Sequence, residues 1–176
     1  MPWFPLHTTQ VEYELTSGNR LIVFRHSLRV DIGGTNWLNP TCFFDTGARL
    51  SIVSHAVAQG IGAALTPIPV QHGPIPTFEN GAPVAPTPGL LNWWDPVAQQ
   101  LIPCVLAEMT VRLRIDGTNT VSDPLQLVAK VLQAPALPFN GRFALLGTHV
   151  LTANGGQLHL EGLPWGLGGP GLFFPP

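Results

Sequence analysis

The stretch TCFFDTGARLSIVSHAVAQG, residues 41–60, decides how the chain is read. Phe43 and Phe44 continue an apolar strand, and Asp45 stands at its end, where Thr46, Gly47 and Ala48 force a turn. Thr46 brings a hydroxyl, and Gly47 lets a backbone or a ligand come close. The pattern LSIVS then resumes an extended segment. A carboxylate in this place either caps the turn or works as an acid/base in dry surroundings, where desolvation would raise its pKa. A single such group does little. Two facing each other would share a proton, one activating a water and the other hydrogen-bonding the attacked carbonyl oxygen.

The rest of the chain supports a β framework around this segment. VEYEL, LRVDI, MTVRLRI, LQLVAKV and QLHLE alternate apolar and polar residues with a period of two, as half-buried strands do. TSGNR (16–20) reads as a hairpin turn, and IDGTNTVSDP (115–124) as another turn region. Two short segments read as helices. SHAVAQGIG has Ser54 as a candidate N-cap and Gly60 near its stop, and THVLTANGG ends in two glycines. The expectation is an all-β, barrel-like single domain over residues 1–176, with its core at about 9–162. A proline-rich insert at 62–104 has no clear period, and inserts of that length in a compact domain usually carry function. Within it, Trp93 and Trp94 either anchor a surface loop or belong to a cover over a cleft. The apolar tail 163–176 is either an association surface or a strap packed on its own domain.

Composition narrows the function classes. Only 10% of residues are charged against 45% hydrophobic, the formal net charge is −2, and no basic run occurs, so nucleic-acid binding is unsupported. No apolar run approaches the length needed for a membrane span. The first residues, MPWFPLHTTQ, lack the pattern of a signal peptide. Cys42 and Cys104 form no metal-binding pair and read as free, buried thiols. These features point to a cytoplasmic protein. The six histidines show no zinc-ligand spacing, GLGGPG (166–171) lacks the frame of a phosphate loop, and no serine-hydrolase elbow occurs, so neither a metal nor an organic cofactor is expected.

FFDTGARLSIVS resembles the active-site segment of the retropepsin-like aspartic proteases, and ALLGTHVLTANGGQLHLEG (144–162) is similar to that family's second motif, an apolar-apolar-Gly strand followed by a short helix. The resemblance implies a closed acid-protease β-barrel in which the Leu145-Leu146-Gly147 strand passes beside the Asp-Thr-Gly loop in a ψ-shaped crossing. It implies an aspartic endopeptidase with Asp45 as the catalytic carboxylate. Thr46 would lock the two active-site loops together, Gly47 would offer its carbonyl to substrate, and Ala48 would leave room beside the cleft. Ser51, Leu146 and Gly147 would support the loop from behind, and a flap carrying Trp93 and Trp94 would lie somewhere in 85–98. One Asp-Thr-Gly per chain requires a symmetric homodimer acting on peptide or unfolded protein, with the apolar termini as part of its interface. Arg49 and His149 depart from the residues usual at their places, so the bracing between loop and helix must differ. Since a fold does not fix a function, a catalytically inactive peptide-binding or dimerisation module is the alternative.

Overall fold

In the computed structural model, residues 3–14, 18, 20–69, 77–79, 82–84, 91–95, 97–159 and 169–175 are described. Their strands are β1 (Trp3–Glu14), β2 (Arg20–Leu28), β3 (Val30–Gly33), β4 (Trp37–Leu38), β5 (Thr41–Asp45) and β6 (Ser51–Val53). The helix α1 (His55–Ile61) follows, then β7 (Thr66–Pro67), β8 (Thr77–Glu79), β9 (Ala82–Val84), β10 (Leu91–Asp95), β11 (Gln100–Ile115) and β12 (Leu125–Leu132). A 3-10 turn (Pro138–Gly141), β13 (Phe143–Gly147), α2 (His149–Ala153), β14 (Gln157–His159) and β15 (Gly171–Phe173) complete the order. The described residues form an all-β fold with two short helices.

The alternating segments become strands for the reason their pattern gives. Leu28, Val30 and Ile32 are buried, as are Met109, Val111 and Leu113, and so are Leu125, Leu127, Ala129 and Val131, while the residues between them face outward or sit half-buried, except Asp31. Together they form the main core with Phe4, Phe44, Leu146, Leu172 and Phe174. Asp31 is also buried, but it is paired. Its carboxylate accepts from Asn39 Nδ2 at 2.9 Å and from Arg114 Nε at 2.8 Å, and the Arg114 guanidinium lies 4.6 Å from the Trp37 ring centroid. A buried charge is tolerated only when paired and hydrogen-bonded in this way.

The sheet follows the path β14-β15-β1-β2-β5-β13-β6-β12-β11-β3-β4, with β7 and β10 added along β11. Among the described residues the sheet is therefore not closed into the expected barrel, because the end strands β14 and β4 do not pair. Closure needs a continuous ladder with matched tilt and shear, and these end strands are only three and two residues long. The tail settles as a strap. β15 pairs with both β14 and β1, and Leu172 and Phe174 are buried in the chain's own core.

Within 62–104 the described residues include strands as well as loop. β10 and β11 form a hairpin with Leu91 opposite Cys104 and Asp95 opposite Gln100. Residues 70–76, 80–81, 85–90 and 96 of the insert lie outside the described residues. α1 stops at Gly62, in the left-handed region at φ 62°, rather than at Gly60. Gly60 lies inside the helix, where it faces Leu38 so closely that a Cβ would collide with the leucine Cδ1.

Candidate active site

The site is built on three strands. β13 lies between β5 and β6, parallel to β5 and antiparallel to β6. The register sets Leu146 beside Phe44 and Gly147 beside Asp45. Alternation then sorts the side chains. Cys42, Phe44, Ala144 and Leu146 point into the main core, whereas Phe43, Asp45, Phe143 and Leu145 face the other way. Asp45 thus arrives at the end of β5 on the face away from the main core, and in the single chain it is exposed together with Thr46 and Gly47. The dry setting expected from the Phe pair is absent because Asp45 shares its face with Phe43 and not with the fully buried Phe44.

Hydrogen bonds fix the loop. Gly47 N–H donates to Asp45 Oδ1 at 2.8 Å, and Ala48 N–H donates to the Asp45 carbonyl at 3.2 Å. Asp45 therefore does cap its own turn, which leaves the carboxylate oriented rather than mobile. Behind the loop, Gly147 N–H donates to Ser51 Oγ at 3.1 Å, and Ser51 is fully buried. Gly147 packs so closely that a Cβ would lie 2.6 Å from the Leu50 carbonyl carbon and oxygen. Ala48 O accepts from Thr148 N–H at 2.8 Å, and Arg49 O accepts from His149 N–H at 2.9 Å. The bracing between loop and α2 thus runs through these backbone bonds together with the Thr148 hydroxyl, which also donates to Ala48 O at 3.3 Å, so it does not depend on a pairing of the Arg49 and His149 side chains. Ser54, expected to cap α1, makes no side-chain cap bond and instead accepts from Phe143 N–H at 3.1 Å.

Ser51→Ala strands the buried Gly147 N–H without an acceptor. We expect it to lower stability by about 1–3 kcal/mol, read as a shift in the urea midpoint. An unchanged midpoint would mean that this bond contributes nothing.

Beside Asp45 lies a cavity of about 520 Å³. Phe43, Ile52, Trp93, Val97, Phe139 and Phe143 wall it, and Asp45 and Thr46 border it. The rings form a chain: Phe43 to Phe139 at 5.0 Å, Phe139 to Phe143 at 5.9 Å, and Phe143 to Trp93 at 5.5 Å between centroids. Of the two tryptophans expected in a flap, Trp93 reaches the cavity. Trp94 sits on the opposite face of the hairpin, 52% exposed, across from Leu101.

No family model, curated protein or solved structure matches the chain. Its chemistry must be read from the site. Among the described residues no three His, Cys, Asp or Glu side chains gather as metal ligands, and no helix is long and apolar enough to cross a membrane. Both cysteines are free and buried, and burial pushes the Cys42 thiol up to about 12 and raises that of Cys104.

Two features escaped the sequence reading. The first is Phe139, whose left-handed backbone turns its ring into the cavity. The second is Asp95, which is fully buried. Its Oδ1 accepts from Val97 and Ala98 N–H and its Oδ2 from Leu137 N–H, each at 2.9 Å. Asp followed by Pro in WWDPVAQQ is a signal for such a side-chain-to-backbone turn. Burial pushes the Asp95 carboxyl up, but its three backbone donors outweigh that and hold it below its ordinary value. Burial likewise acts against Asp31, and Asn39 and Arg114 overcome it.

Both carboxyls are depressed in the folded state, so the stability they contribute is complete above the ordinary carboxylate value of about 4. It drains away as pH falls through the lowered folded values. We expect urea midpoints from these groups to be level between pH 7 and pH 5 and to drop as the pH is taken below about 4. A midpoint that holds to pH 2 would contradict this.

Proposed function

We propose that the chain is one half of an aspartic endopeptidase of the retropepsin-like kind, completed by a second copy. The observation that carries the reading is the pairing of Asp45 with Gly147 across β5 and β13, which sets an oriented, exposed carboxylate at the border of an aromatic cavity. A lone exposed carboxylate has no partner with which to share a proton. Two chains related by a two-fold axis through this face would bring the Asp45 carboxylates together and cover Asp45, Thr46 and Gly47. The ionised carboxylate would take a proton from a water, which attacks the peptide carbonyl, and the protonated one would hydrogen-bond the carbonyl oxygen. The cavity would take a substrate side chain while the peptide lies extended across the dyad. The β10–β11 hairpin, which carries Trp93 and Val97 to the cavity, would serve as the flap.

The reading makes two linked expectations. Hydrolysis of a mixed peptide library should be highest at acidic to mildly acidic pH and fall as the second carboxylate ionises. The rate per chain should also rise with protein concentration through the range where sedimentation shows monomer giving way to dimer. A monomer that cleaves peptides, or a rate still climbing above neutrality, would sink the proposal. A dimer that binds peptides without cleaving them would favour the inactive binding module.

A further inference from the structure

Asp95 does more than cap its own turn. Its carboxylate is fully buried and joins two segments distant in sequence: the hairpin tip, through Val97 and Ala98 N–H, and the 137–141 turn, through Leu137 N–H. Both segments are backbone-strained. Among the described residues, the non-glycine positions with positive φ are Gln99 (51°), Phe139 (53°) and Asn140 (54°). All three fall in the two segments that Asp95 ties together. Such conformations are disfavoured for L side chains and persist only where the surroundings hold them. The same segments supply Val97, Pro138 and Phe139 to the cavity beside Asp45. Phe139 is 43% exposed, so its left-handed backbone and its ring contacts with Phe43 and Phe143 together hold it at the cavity wall.

We infer that Asp95 is a positioning residue which, by gripping the hairpin tip and the 137–141 turn at once, fixes Val97 and Phe139 at the cavity wall and selects a large aromatic substrate side chain. For its kinetic consequence the inference rests on the endopeptidase reading, whereas its effect on cavity shape does not. Truncating the grip should widen the cavity and weaken its hold on an aromatic ring, with little change at the reacting carboxylates.

Two variants test it. Asp95→Asn keeps one carbonyl oxygen for the hairpin tip and turns an amide N–H₂ toward the 137–141 turn. Leu137→Pro removes the N–H that reaches Asp95, together with a side chain that is 60% exposed, at a residue whose φ of −82° is close to that of proline. One arm measures KM and kcat on two peptides that differ by Phe or Ala at one position. The other titrates N-acetyl-phenylalanine amide into each protein and follows the methyl signals of Ile52 and Leu145, which line the cavity. We expect both variants to raise KM for the Phe peptide about tenfold with kcat nearly kept, to erode the Phe-over-Ala preference, and to weaken binding of the amide by a similar factor. A folded Leu137→Pro protein with wild-type KM, preference and amide affinity would overturn the inference, and so would a wild-type protein whose methyl signals ignore the amide. Should the wild type cleave neither peptide, the endopeptidase reading fails, and the amide titration still decides the role of Asp95.

Discussion

Asp45→Asn is expected to lower peptide hydrolysis by at least about 10³-fold while leaving the fold in place. The two halves of this expectation have different physical sources. The substituted amide would keep an oxygen to accept the Gly47 N–H, now bonded to the carboxylate at 2.8 Å, so the turn has no reason to open. What the amide cannot do is exchange a proton with water or with a second carboxylate, and both are required by a shared-proton dyad. Mixing the variant with wild type gives a sharper test. Heterodimers would carry one carboxylate and one amide, so added variant should depress the wild-type rate by drawing chains out of active pairs. A wild-type rate indifferent to excess variant would show that each chain works alone. Unchanged hydrolysis by pure Asp45→Asn would end the endopeptidase proposal outright.

Gly147→Ala should cost about 3 kcal/mol and disable the site together. The added methyl carbon would fall 2.6 Å from the Leu50 carbonyl and 2.7 Å from the Arg49 carbonyl oxygen, which are backbone atoms with little freedom to yield. Relief requires β13 and the 48–50 segment to separate. That movement loosens the Gly147 N–H bond to Ser51 and the two bonds from Thr148 and His149 to the loop. For a domain of this size the melting temperature should fall by roughly 6–12 °C, and activity should drop further than the remaining folded fraction explains. A melting temperature equal to that of the wild type would refute the close-packing account of this glycine.

Much of this could be read from residue order, and the reasons are local. Leu125, Leu127, Ala129 and Val131 alternate cleanly, and their strand is buried in that pattern. The Asp-Thr-Gly turn and the Leu-Leu-Gly strand each carry their own geometry in a few residues, and the pairing of β5 with β13 brings them into register. What was illegible depended on distant partners. Pro103 sits inside β11, where its missing N–H argues against a strand, yet its carbonyl accepts from Gln133 N–H at 2.9 Å. The exposure of Asp45 followed from which of Phe43 and Phe44 enters the core, a choice that two adjacent phenylalanines leave open. The open sheet depended on whether two very short end strands would meet. Phe139 reaches the cavity through a left-handed backbone that its own side chain disfavours, and Asp95 holds that turn from 42 residues away.

The strap at the termini has a consequence for how the chain can be rewired. Trp3 stands opposite Phe173 in an antiparallel ladder, so the first and last described strands emerge side by side, about 5 Å apart. A linker of a few residues would span that gap. Joining β15 to β1 through such a linker and opening the chain at an exposed turn should give a circular permutant that keeps the Asp45 loop, its bracing helix and its aromatic cavity intact. The same adjacency constrains simple tandem duplication. Because β1 and β15 run side by side, a linker joining two copies through these strands would start and finish at the two straps, and its length would decide whether the two Asp45 loops could meet.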